Sequence, residues 1–532
     1  MRLILAAQLL SVTFCCYGQV AATSVDYATQ TITHALTQEP PQLNSMKATD
    51  QVSVEILGHV MEGLVRYDRR GNITPGVAER WEVTDSSATF WLRRDAKWSD
   101  GKPVTAHDFI FAWQNALDPK TASEYAFILY ALKNAEAINK GELPTSALGV
   151  AAPDDYTLVV TLERPIGYFI KLTAFTTYYP VRKDFFGSRD TRYAADAKDL
   201  IYNGAFTISE WVHSASLKMV KNPHYWDRNS ITLNAINIDY ITADTRAHLN
   251  LFIDGKIAHT GLDGETYRDA LTQKLRINSF TTGSIFFLEY NHRPGRATSN
   301  VNIRKAIQHV FDPAEMVNRV LATPGNLPGK SLFPVWVKGV SGKFRDEYPP
   351  PVATIDLNKA QQYLSAARAE LKDIPPLVLL VSDSPIAFKQ AEYVQGLLLS
   401  KLGLKIVVDK QTFKQRLAKM TSGDFDIVGA GWGPDFDDVM TFGDLFASWN
   451  LNNRGRYTNP EYDRLVRVAM ESTVPKIRMD AMGELQQILF DEAVLLPQYE
   501  QGIIYLQHPK LKGVTRRVFG PDPDFTYARV IK

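Results

Sequence analysis

The stretch GAGWGPDFDDVMTF, Gly429 to Phe442, has two halves: three glycines, a tryptophan and a proline, then three aspartates within four residues. Glycine lets another backbone come close, and carboxylates attract cations. The stretch therefore reads as built to meet a cation, or the cationic part of a larger ligand. Gly429-x-Gly431-x-Gly433 matches part of a dinucleotide fingerprint, but Pro434 takes the place of the third glycine, where a helix would have to receive a pyrophosphate. A calcium loop needs oxygens at alternate positions, and Val439 and Met440 break that pattern. Asp437 and Asp438 read as turn and helix-cap residues. For Asp435, directly after Trp432-Gly433-Pro434, turn or cap duty is not the favoured reading.

Around it lies a chain of 532 residues, long enough for several domains, with 45% hydrophobic and 22% charged residues. This is the composition of an ordinary globular protein. The 59 basic and 58 acidic side chains nearly balance, with no long basic run, so nucleic-acid binding is not expected. Residues 1–22 read as an export signal: Arg2, an apolar core from Leu3 to Phe14, and small residues Val20-Ala21-Ala22 for cleavage. Cleavage would remove both cysteines, Cys15 and Cys16, leaving no disulfide and no thiolate metal site. A lipid anchor at Cys16 is disfavoured by bulky Phe14 and Cys15 before it.

Alternating stretches Thr89–Arg93, Thr157–Leu162 and Lys405–Val408 read as strands. Thr105-Ala-His-Asp108 is a capping-box pattern, and Asp312-Pro313 and Asn459-Pro460 each put a cap before a proline at the first helical position. Strands and helices alternate after about residue 285, which predicts an α/β lobe there, whereas the chain before residue 200 is richer in turns and strands. Thr323 to Val352, rich in proline and glycine, reads as a long surface loop.

Enzyme signatures are weak. Ser99-Asp-Gly-Lys102 has the S-x-x-K spacing of serine acyl-transfer enzymes, but Gly101 and Pro103 make it a turn where that chemistry needs a helix. There is no H-E-x-x-H, G-x-S-x-G or Walker pattern, and no histidine pair with metal-ligand spacing. No cofactor is expected, and a hydrolase would need an acid pair about 5–9 Å apart.

Five segments in order carry a resemblance: YDRRGNITPGVAERW (67–81), LRRDAKWSDGKPVTAHDF (92–109), NGAF…NPHYWD (203–227), GWGPDFDD (431–438) and YTNPEYDRLV (457–466). Together they resemble the extracytoplasmic peptide-binding proteins of ABC importers, the oligopeptide, dipeptide and murein-peptide receptors, over nearly the whole chain. The resemblance implies an α/β fold of the type II periplasmic binding protein kind, with two lobes, crossing strands between them, and an extra domain on the first lobe. Carried over, lobe I comprises 23–61, 186–284 and 503–532, the extra domain 62–185, and lobe II 285–502. It also implies a periplasmic, monomeric, non-enzymatic receptor that takes a peptide ligand and serves an ABC importer permease in the inner membrane.

The site residues follow from the same resemblance. Asp435 would receive the ligand ammonium. Gly431 and Gly433 would let main-chain groups pair with an extended ligand, beside Pro434 and Phe436. Trp432, Tyr125, Phe287 and Phe413 would wall the cleft, with plain core packing the alternative for each, and Thr49, Glu289 and Asn291 would line it. Relatives can carry an arginine at the position of Gly429, where it helps to receive the far carboxylate, and a histidine near Ala387. Here Arg293, Arg296 or Lys389 would have to serve, or water, or nothing. Metal chelates, haem, sugars and peptide-like conjugates are the alternative ligands.

Overall fold

The computed structural model describes residues 23–532; the expected signal segment and Cys16 lie outside the described residues. Among the described residues no helix is long and apolar enough to cross a membrane.

Three sheets organise the chain. The first orders Val25–Asp26, Thr31–Leu36, Ala235–Ile241, Ser216–Lys221 and Phe206–Val212, with only Thr31–Leu36 and Ala235–Ile241 parallel. Four antiparallel strands, Ala78–Val83, Ser87–Leu92, Thr157–Thr161 and Val150–Asp154, form a separate sheet. Its alternation is legible: Ala88, Phe90 and Leu92 are buried while their neighbours are partly open. The third sheet orders His259–Leu262, Leu495–Gln507, Ile277–Tyr290, Ile427–Trp432, Leu377–Ser382 and Ile406–Gln411. Leu377–Ser382 and Ile406–Gln411 are parallel, with the helix Pro385–Leu402 as crossover, the βα alternation expected after residue 285.

Ile277–Tyr290 and Leu495–Gln507, fourteen and thirteen residues long, belong to both halves of the molecule. Their first parts pair Ile277 with Leu506 through Thr281 with Gly502, beside His259–Leu262; beyond a register break between Thr281 and Ile285 they pair Ile285–Glu289 with Glu500–Leu495, beside Ile427–Trp432. The break is a local irregularity that bends the strand pair between its two neighbours. Gly283 sits in it with φ 79°, and a Cβ there would lie 2.6 Å from Trp336 Nε1 and 2.7 Å from Val518 Cγ1. Gly283→Ala is expected to destabilise the protein by about 2 kcal/mol in thermal or urea unfolding, since it combines a left-handed backbone with overpacking; a change within a few tenths would contradict this.

Helix starts follow their caps. Thr105 and Asp108 form a capping box on Ala106–Leu117, and Asp108 also accepts from Trp98 Nε1 at 3.2 Å. Asn459 Oδ1 accepts from Glu461 N (2.8 Å) before the helix Pro460–Glu471. Ser99-x-x-Lys102 is a turn with Gly101 at φ 87°, and Lys102 pairs with Asp184 (2.9 Å). The stretch 323–352 is mostly irregular but not merely a surface loop. Phe333 and Phe344 are fully buried, and Leu327–Pro328 extends the large sheet. Burial of such rings anchors a segment whose backbone pattern is silent.

Candidate functional site

Ile427–Trp432 pairs along its full length with Ile277–Tyr290, but on its other side only Ile427 and Val428 pair, with Leu379 and Leu380. From Gly429 onward one strand edge is therefore free. The carbonyl of Gly429 accepts from Arg416 Nη1 at 2.5 Å, and alternate residues of a strand present their main-chain groups on the same side, which puts Gly431 in the same row. An exposed edge of this kind takes an added strand. Glycine at 431 has a cross-strand reason as well: a Cβ would meet the Phe286 ring at 2.7 Å.

This edge borders a cavity of about 570 Å³, a volume suited to a small ligand. Thr49, Tyr125, Phe287, Glu289, Phe413, Gly431, Trp432, Gly433 and Asp435 all line it. Asn291, Pro434 and Phe436 do not. Asn291 is fully buried and spends its amide on the carbonyls of Gly423 (3.0 Å) and Phe425 (2.8 Å). Phe436 stacks on Tyr168 with centroids 5.5 Å apart. Arg293, Arg296 and Lys389 are also absent from the wall: Arg293 donates to Arg454 O (2.8 Å), and Arg296 to Gly423 O (2.8 Å).

The three aspartates part company. Asp437 takes Lys171 Nζ and Lys338 Nζ at 3.1 Å each, and Asp438 pairs with Arg478 and receives Met440 N at 3.1 Å. Asp437 thus ties three distant segments together and is more than a turn residue. Asp435 is buried, accepts Tyr125 Oη at 3.2 and 3.3 Å, and has no cation within ion-pair distance among the described residues. Desolvation lifts its pKa well above the usual carboxylate value, Tyr125 opposes that, and nearby Asp444 adds to it. Glu289, also buried, is pushed up to about 7 by desolvation despite accepting Gly455 N at 2.5 Å.

Sequence reasoning missed several wall residues. Arg416 is one; the Thr412–Gln415 capping box starts its helix at Phe413, which puts Arg416 one turn from Phe413, so the i, i+3 spacing pointed to it. Nitrogens of His34, His248 and His259 that have no hydrogen-bond partner lie in residues lining another part of the wall; these histidines come from separate strands and a helix, which no local pattern links.

Segments from opposite sides close over the cavity. Tyr125 stacks toward Trp432 (6.1 Å, 18°), and Arg454 forks onto Glu124 with both bonds at 2.6 Å. The fold and site define an α/β type II periplasmic binding protein: two lobes, crossing strands and a cavity bordered by a free strand edge. The chain belongs to the bacterial extracellular solute-binding proteins, family 5, whose family model matches residues 72–453. It is 30% identical to the periplasmic murein peptide-binding protein MppA of Escherichia coli over 97% of this chain and 98% of that protein. It is 31% identical to the oligopeptide-binding protein OppA of Bacillus subtilis over 90% of this chain and 88% of that one. The substrate-binding domain of an oligopeptide ABC transporter from Bacillus anthracis superposes with a TM-score of 0.91 at 34% identity, covering 95% of this chain and 99% of that one. One E. coli MppA structure gives 0.88, whereas the unliganded open form of MppA gives 0.62. The lobes here are therefore not in the arrangement of that open form.

Proposed function

We propose that the protein is a periplasmic receptor that encloses a short peptide, murein peptides included, and delivers it to an ABC importer permease in the inner membrane. The observation that carries this reading is Asp435: a buried carboxylate without a counter-ion among the described residues, beside a free strand edge, in the cavity wall. A buried charge is costly unless it is paired, and a peptide ammonium pairs it while the peptide backbone takes the edge. Haem and sugars bring no ammonium to neutralise that carboxylate. We assign lobe I to 23–61, 186–284 and 503–532, the extra domain to 62–185 and lobe II to 285–502; the register break at 282–284 supports the boundary near 285. The receptor works as a monomer and performs no chemistry on its cargo. Native mass spectrometry of protein isolated gently is expected to show a peptide mass bound. A haem, chelate or sugar mass would overturn the reading.

Binding should depend on pH. The raised pKa of Asp435 means that the ligand-free carboxyl holds its proton at pH values well above 3.8. The ammonium needs the ionised form, so affinity is full above that raised pKa and falls about tenfold per pH unit below it. A free peptide amine keeps its charge up to about pH 8. Calorimetry between pH 5 and 8 in buffers of different ionisation enthalpy should show proton release on binding of a free-amine peptide. No release, with affinity flat across that range, would contradict the linkage.

A further inference from the structure

Arg304, buried, and Arg416, half-buried, differ in how their guanidinium groups are satisfied. Arg304 donates from all three nitrogens, to Thr298 O and Ser299 O at 2.8 Å, Glu492 O at 2.9 Å and Ala493 O at 3.1 Å. Its charge is spread over carbonyls, and it is a structural group. Arg416 makes one hydrogen bond among the described residues, from Nη1 to Gly429 O, while Nε has no partner and the guanidinium leans toward the Phe413 ring at 5.2 Å. No carboxylate lies within ion-pair distance of it among the described residues. The neighbouring Arg454 is already forked onto Glu124, and Glu289 gives an oxygen to Gly455 N. A half-buried guanidinium whose Nε is buried without a partner and whose Nη groups make one hydrogen bond is shaped to take a carboxylate in a two-pronged bond.

Its position is informative. Arg416 comes from the helix Phe413–Ser422 and lines the cavity, with its guanidinium at the carbonyl of Gly429, the first residue of the free strand edge. A Cβ at Gly429 would meet only Val381 Cγ1 at 3.6 Å, so sterics do not demand glycine there. Asp435, without a cation, and Arg416, without an anion, thus mark opposite ends of one open edge. From Gly429 to Trp432 the strand rises about 10 Å, and the turn to Asp435 adds to it. An extended peptide of about three to four residues covers that distance.

We infer that Arg416 receives a ligand carboxylate at the far end from Asp435, making the site selective for short zwitterionic peptides of about three to four residues. This rests on the peptide reading above. The charge that a strand residue at 429 could have carried is supplied instead from the adjacent helix.

The test is calorimetry of ligand-stripped protein with a mixed tripeptide library as free acids and with the same library amidated at the C-terminus. The wild type is expected to prefer the acids by about tenfold or more, and Arg416→Gln to reduce that preference to about threefold or less. The comparison on the wild type needs no variant, and Arg416→Lys, which keeps a cation on the same helix, is expected to retain part of the preference if Arg416→Gln does not fold. Equal affinity for acid and amide in the wild type, or an undiminished preference in Arg416→Gln, overturns the assignment while the peptide reading stands. Failure of the wild type to bind either library overturns both. Amidated tripeptides ending in glutamate separate the two carboxylate sources. Affinity matching the free acids assigns a side-chain carboxylate, and affinity matching the plain amides assigns the α-carboxylate; both support Arg416 as receiver.

Discussion

Asp435→Asn lowers affinity for a free-amine tripeptide by about a hundredfold or more, roughly 3 kcal/mol, in isothermal titration calorimetry. The size follows from the site. A unit pair at 4 Å is worth about 4 kcal/mol at an effective dielectric near 20, less what desolvation takes back. Asparagine keeps the shape and can still accept from Tyr125 Oη, which now bonds Asp435 at 3.2 and 3.3 Å, so the loss reports charge rather than packing. The variant should also lose the proton release on binding. It should unfold at a slightly higher temperature than the ligand-free wild type, because the buried unpaired carboxylate is gone. A loss smaller than about threefold would move the ammonium elsewhere in the cavity.

Glu62→Ala is expected to cost about 3–5 kcal/mol of folding stability in urea unfolding, with Glu62→Gln costing clearly less. Glu62 is buried and accepts Tyr225 Oη and Trp226 Nε1 at 2.6 Å each and Arg66 Nη1 at 3.4 Å. Desolvation raises its pKa, and Arg66 is the chief opposing charge. Asn203 clamps its backbone, accepting Glu62 N at 3.0 Å and donating to Glu62 O at 2.8 Å. Alanine would leave the Tyr225 hydroxyl and the Trp226 N–H without their acceptor and take one of two carboxylates from Arg66, which keeps Asp227 at 3.2 Å. A cost under about 1 kcal/mol would show that water replaces the carboxylate without difficulty.

That network explains two of the segments that made the chain recognisable. Asn203 of NGAF and Tyr225 and Trp226 of NPHYWD bind nothing in the cavity; they converge on Glu62 with Arg66, which directly precedes YDRRGNITP. Trp226 also lies under Arg93, 3.6 Å from its centroid. These motifs converge on one buried carboxylate and form a frame apart from the cavity rather than its chemistry. In GWGPDFDD the order is reversed, with the ligand wall and the frame side by side.

Caps and alternation were legible because they act over three or four residues, as at Thr105, Asp312 and Asn459. Asp437 and Asp438 look alike locally, but their partners Lys171, Lys338 and Arg478 lie far along the chain. What separates Asp435 from them is the absence of such a partner, a property only the folded molecule displays. Arg416 was overlooked for the complementary reason. The carried-over pattern places a base on the strand at 429, and the structure brings one in from the neighbouring helix. Asn291, carried over as a cleft residue, instead tethers the carbonyls of Gly423 and Phe425.

Recognition of a free peptide amine is tested most directly by titrating ligand-stripped wild-type protein calorimetrically with a mixed tripeptide library and with the same library acetylated at its N-termini. The free peptides are expected to bind, and the acetylated set to bind more weakly by about a hundredfold or more. Equal affinity for both sets would contradict it.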